Sequence, residues 1–232
     1  MRISSTAPML VVMNAVLECD ELAAVEGDRR IADVDLSQTP IGCAIDRRCL
    51  QTYFQSIVSI AVDGDYVDRE KSKVLLPIFL KFPSVSEFSM FDRISGEDAV
   101  NLIPAVKIWA EHLVDLRWGS DEFGDLGAIE VSKLIPLFTA MKKLSLHRCG
   151  LTDVAGMAIV EALTQNQNII EVYISENMFT DSLVNALVDY ILKPSNLVIM
   201  KMTDNKFSIE GKQRILEAWE KSGRRYQYDS WV

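Results

Sequence analysis

The chain has 232 residues, 49% of them hydrophobic and 25% charged, with a formal net charge of −9 at pH 7. That balance predicts a chain that folds and stays soluble, and an acidic surface argues against general nucleic-acid binding, because it repels phosphate backbones. The four cysteines (Cys19, Cys43, Cys49, Cys149) lack CxxC spacing and there are two histidines, so no metal-ligand pattern stands out; reduced, buried thiols in an intracellular, cytoplasmic protein are expected.

At the N-terminus, Met9 to Leu17 is an apolar run behind Arg2. It is too short to span a bilayer. Glu18, Cys19, Asp20 and Glu21 follow it, where a secretory signal would place small residues. No other stretch is long enough for a membrane span. Residues 9–25 read as a helix inside an N-terminal capping region, 1–30.

From Ile31 onward the sequence repeats. Segments beginning at Ile31, Ile57, Val85, Leu113, Met141, Ile169 and Leu197 carry apolar residues at their first, fourth and sixth positions. The last six starts are 28 apart, and the first unit is 26 long. The fourth and sixth positions run from Val34 and Leu36 through Leu116 and Trp118 to Met200 and Met202. Such alternation marks a short strand with one face inward. The ninth position holds Thr39, Asp65, Arg93, Asp121, Cys149, Asn177 and Asn205. It falls where the strand ends, and an Asn there can bond unpaired backbone groups. The eleventh position turns back to the core with Phe123, Leu151, Phe179 and Phe207, while Ser95 breaks the pattern.

The second half of each unit has helical spacing. One inward column reads Leu75, Ile103, Val131, Ile159, Leu187 and Ile215. A second, three residues on, reads Ile78, Val106, Leu134, Ala162, Tyr190 and Ala218. Pro77, Pro104 and Pro136 fall late in their helices and should shorten or kink them. The charged stretch from Asp63 to Lys73 reads as a solvated loop. Trp118 and Trp219 read as core, whereas Trp109 lies in a connection whose exposure the pattern leaves open. The tail, 223–232, carries Tyr226, Tyr228 and Trp231, which are expected to pack over the last unit.

These columns resemble the ribonuclease-inhibitor type of leucine-rich repeat, L-x-x-L-x-L-x-x-[NC]-x-L followed by a helix. The resemblance covers about residues 31–222; the ninth column departs from it at Thr39, Asp65, Arg93 and Asp121. It implies a single-domain α/β right-handed solenoid, a horseshoe of about seven repeats, with parallel strands on the concave face and helices on the convex face. It also implies that the chain works by binding another protein.

No catalytic, cofactor or metal motif is found: there is no P-loop, GxGxxG or GxSxG. His147 and Cys149 are two apart, but Cys149 occupies the turn column, so a buried structural thiol is expected rather than a nucleophile. The outward strand columns are the candidate binding surface. The third positions include Glu87, Asp115, Lys143, Glu171 and Ile199; the fifth, Ser89, Arg117, Ser145, Tyr173 and Lys201; the seventh, Phe91, Gly119, His147, Ser175 and Thr203. Aromatic and Arg residues are enriched in interface hot spots. The expected contact patch is therefore Phe91, Arg117, Lys143, His147, Arg148, Glu171 and Tyr173. Charges on such a face also serve plain solvation. The functional expectation is a non-catalytic interaction module: a scaffold, subunit or assembly factor, either monomeric or part of a hetero-complex, without cofactor and with a protein partner. Two other activities are compatible with this repeat type. One is GTPase activation, as in Ran GTPase-activating proteins; the other is actin capping, as in the tropomodulin repeat domain.

Overall fold

The computed structural model describes residues 9–12, 59–62, 69–91 and 93–224. Among the described residues seven strands form one open parallel sheet in chain order: β1 (Met9–Val12), β2 (Ser59–Val62), β3 (Glu87–Met90), β4 (Asp115–Trp118), β5 (Lys143–Leu146), β6 (Glu171–Tyr173) and β7 (Ile199–Lys201). From β2 to β7 each residue pairs with the one 28 positions on, as in Ser59↔Glu87, Glu87↔Asp115 and Lys143↔Glu171. Parallel neighbours need a crossover, and helices supply it. The whole is an α/β fold, compatible with a solenoid-like arrangement.

The strand columns explain the sheet's two faces. Ile60, Val62, Phe88, Met90, Leu116, Trp118, Leu144, Leu146, Val172 and Met200 are all at most 3% exposed, and they join the helix residues in one core. The residues between them stay half-buried or exposed. In the helix columns Leu75, Val131, Ile159, Leu187 and Ile215 are buried, as are Val106, Leu134, Ala162, Tyr190 and Ala218; Ile103 is half-buried, and the side chain of Ile78 lies outside the described residues. Each fully buried Leu, Ile or Phe contributes about 1.5–3 kcal/mol against exposure.

Helix regularity changes along the chain. α1 (Arg69–Phe79) contains Pro77, and it begins inside the stretch to Lys73 expected as loop. The next crossover is split into α2 (Gly96–Val100) and α3 (Ile103–Trp109). Pro104 therefore stands in the first turn of a new helix and not late in an old one; a first turn tolerates it, since its missing N–H has no partner there anyway. α4 (Gly124–Ser132) stops early, and Pro136 lies in a 3₁₀ turn, Ile135–Leu137. α5 (Asp153–Leu163), α6 (Val184–Leu192, led by a 3₁₀ turn) and α7 (Ile209–Lys221) are unbroken. Aromatic rings fill the space beneath the broken helices. Phe79, Phe88 and Trp109 pack with centroids 5.3–5.8 Å apart, and Phe88, Trp118 and Phe123 continue the stack. Trp109, whose exposure the sequence left open, is fully buried and donates from Nε1 to Phe82 O at 2.7 Å.

Two side-chain ladders tie successive units. In the ninth column Asn177 accepts from Cys149 N and Leu151 N through Oδ1, and donates from Nδ2 to Leu146 O, Ile174 O and Ser175 O. Asn205 repeats this pattern on Phe179 N, Ile174 O, Met202 O and Thr203 O. Cys149 keeps one part of it, with Sγ donating to Trp118 O at 3.2 Å. Arg93 and Asp121, which also fall in that column, are exposed and do not take this role. Ser120 takes part of the role of Asp121, its Oγ accepting from Ile94 N and donating to Ile94 O. Ile94 is buried one residue ahead of Ser95, which is freed to cap α2. The second ladder links helix starts. Asp125 accepts from Thr152 N and Oγ1, Asp153 from Thr180 N and Oγ1, and Asp181 from Ser208 N. Thr152, Thr180 and Ser208 in turn cap the turns that follow them.

Met9–Val12 is a strand, not the start of a helix, and it pairs with β2 as Met9↔Ser59. It occupies the place beside β2 expected for the strand of the Ile31 unit. A short apolar run fits strand and helix equally by periodicity alone. The Ile31 unit, Cys19, Cys43, Cys49 and the tail aromatics lie outside the described residues.

Candidate functional site: the open face of the sheet

The parallel register turns the outward columns into rows across the strands. One row runs Glu87, Asp115, Lys143, Glu171, Ile199, and its neighbour runs Ser89, Arg117, Ser145, Tyr173, Lys201. All seven residues of the expected patch lie on or at the end of strands β3 to β6. The register brings Arg117, Lys143, Glu171 and Tyr173 onto adjoining strands, with His147 and Arg148 just past the end of β5 and Phe91 just past the end of β3.

Each basic residue of the expected patch has an acidic neighbour. The Arg117 guanidinium spans both carboxylate oxygens of Asp115, with Nε at 2.9 and 3.0 Å and Nη2 at 2.5 Å. That hydrogen bond, against partial burial, holds the Arg117 proton more firmly than usual. Lys143 Nζ is 3.9 Å from Glu171 Oε2, His147 Nε2 is 3.4 Å from Glu176 Oε1, and Arg148 Nε donates to Asp121 Oδ1 at 3.1 Å. Asp115, Asp121 and Glu176 are thus part of the surface, although the sequence patch omitted them. Asp115 could have been found from the outward column it shares with Lys143.

Tyr173 lies at the middle of the C-terminal part of this face. Its hydroxyl donates to Glu171 Oε2 at 2.9 Å, and Lys143 Nζ stands 4.7 Å from the ring centroid. Lys201 Nζ is 5.9 Å from the same centroid. Burial first, then the Glu171 bond, pushes the phenol up from 10.0 to about 12. Phe91 is 53% exposed, and its ring rests over Gly119, where an added Cβ would come within 3.1 Å of it. Two aromatic side chains are thereby held in place on a strand scaffold, within a set of satisfied charges.

Cys149 has the character of a structural thiol. It is fully buried, and desolvation pushes it from 9.0 to about 12. It stays protonated and donates to main-chain carbonyls, so the His147/Cys149 pair holds no ready nucleophile. Among the described residues no group of three or more His, Cys, Asp and Glu side chains could hold a metal ion, and no helix is long and apolar enough to cross a membrane.

No protein-family profile matches the chain, and no curated protein matches it. Solved structures do match. One is a Bacteroides fragilis protein solved by the Northeast Structural Genomics Consortium, at 14% identity and a TM-score of 0.49. The match covers 94% of this chain and 65% of that protein's length, so the chain spans less than two thirds of it.

Proposed function

We propose that this chain is a leucine-rich-repeat solenoid of the ribonuclease-inhibitor type that binds a partner protein through the open, concave face of its sheet, as a non-catalytic scaffold, subunit or assembly factor. The 28-residue register and the Asn177 and Asn205 turns support the repeat assignment. Phe91 and Tyr173 carry the functional reading. They are accessible aromatic side chains fixed on short strands and flanked by charges that already have partners. Such a surface loses little side-chain freedom on binding, and aromatic anchors supply much of the energy of an interface.

The test begins with identification of the proteins that co-purify with this chain from its native source. Phe91→Ala, Tyr173→Ala and Lys143→Glu are then compared with Glu220→Ala, an exposed control on α7. Each face variant is expected to weaken binding to the identified partner roughly tenfold or more, as truncation of an interface anchor does. Unchanged binding by all three would sink the assignment to this face. Arg117 is a poorer probe, because reversing its charge would set two carboxylates side by side with Asp115.

A further inference from the structure

The helices that cover the sheet carry a second surface, which owes nothing to the fold. Leu126 and Ile129 on α4 and Val154 and Met157 on α5 point outward; Leu126 is 47%, Val154 64% and Met157 49% exposed, and Ile129 is half-buried. Within each helix the two are three residues apart, which puts them on one side. Between helices they are related by the same 28-residue step that relates the strands, and the Asp125–Thr152 bonds hold the two helix starts together. The four therefore form one patch.

The next two units show what the fold requires at these positions. Counting on by 28, Leu126 and Val154 are followed by Ser182 and Glu210, while Ile129 and Met157 are followed by Asn185 and Gln213. All four polar residues are exposed in the same role. Apolar side chains at 126, 129, 154 and 157 thus do not serve helix packing. A contiguous exposed apolar patch bounded by polar residues marks an interaction site.

Charge identifies the occupant. Asp125 and Asp153 stand one residue before Leu126 and Val154, Glu161 lies one turn beyond Met157, and Glu97 follows Gly96, whose backbone packs against Leu126; Lys133, one turn beyond Ile129, is tied to Glu130. A second copy of this chain would bring the same carboxylates against these. We propose that α4 and α5 dock an amphipathic helix of a partner protein, apolar on one face and lined with lysine or arginine along its flanks. This site is independent of the sheet face.

The test uses the full chain with methyl-labelled side chains and two short helical peptides. One contains only leucine and lysine, patterned to one apolar face; the other replaces lysine with glutamate. The lysine peptide is expected to shift the Leu126, Val154 and Met157 methyl resonances, and the glutamate peptide is not. The double variant Val154→Ser, Met157→Asn takes the residues that the chain itself uses one unit later. It should keep the wild-type melting temperature and bind the lysine peptide roughly tenfold more weakly. Equal binding of both peptides, or unchanged binding by the double variant, overturns the proposal. So does a wild-type dimer that the double variant abolishes, because the patch would then serve self-association. A marked fall in the double variant's melting temperature also overturns it, by showing the apolar residues to be structural.

Discussion

Asn177 makes five hydrogen bonds from a side chain 5% exposed, two as acceptor and three as donor. Alanine there would leave buried backbone groups of two units without partners, each costing about 1–3 kcal/mol. Asn177→Ala should therefore lose on the order of 3 kcal/mol or more in urea unfolding. Asn205→Ala should lose less, since its site is only half-buried. Equal losses would contradict the burial argument. Cys149 makes a separate prediction. Its thiol rises from 9.0 to about 12 on folding, so between those pH values the folded chain holds a proton that the unfolded chain releases. Tyr190, raised by burial from 10.0 to about 12, acts in the same sense, as does Tyr173. Stability from these groups is complete below pH 9 and declines as pH rises through the interval up to about 12. A denaturant midpoint that stays flat from pH 8 to 11, or rapid alkylation of native Cys149 at pH 8, would count against this.

For single elements, the turns after the strands make the sharpest comparison. Gly150 has φ +64°, and a Cβ there would stand 2.6 Å from Asp121 O; Gly124 has φ +59° and nothing within 4 Å. Gly124→Ala should cost only the left-handed conformation, about 1–2 kcal/mol. Gly150→Ala should cost clearly more, because a backbone carbonyl must also move; thermal unfolding of the two variants side by side checks this. Legibility differed between elements for physical reasons. The inward columns could be read because burial is periodic, and periodicity survives in sequence. The turns of the β3 and β4 units could not: Ile94, in the β3 unit, does the work of the eleventh column and Ser120, in the β4 unit, that of the ninth, each from a neighbouring position, and one-residue shifts leave no periodic trace. Met9–Val12 is not legible as a strand, because four apolar residues carry no period at all. The pairing of Arg117 with Asp115 and the Tyr173 hydroxyl bond depend on side-chain rotamers, on which spacing is silent. Asn166, which bonds Ile135 O, Phe138 O, Asn168 N and Ile169 N, lies outside any repeated column and was missed for that reason.

Across the molecule, order of the tying interactions runs one way. The Asn and Asp ladders lie between α4 and α7, while the helices before β5 are split, stop early or contain proline. In a linear array each unit is held by its neighbours, so stability need not be uniform along it. Backbone amides of β5 to β7 should exchange with solvent more slowly than those of β2 and β3 in native conditions. The reverse order would mean that the aromatic stack around Phe88 and Trp118 outweighs the ladders.

The Asp–Thr ladder also governs how the chain tolerates changes in length. Asp125, Asp153 and Asp181 each reach forward to an equivalent hydroxyl residue, and at the next such position stands Ile209, 89% exposed. The links are interchangeable, so a cut that removes one whole period restores the match. Deleting residues 153–180 would set Asp181 directly after Thr152, with Asp125 still holding Thr152 and Asp181 still holding Ser208. That shortened protein should melt cooperatively, whereas a deletion two residues smaller, ending at Met178, should not. The molecule is in this sense modular in lengths of 28, and gain or loss of whole modules is the route by which it could change size without losing its fold.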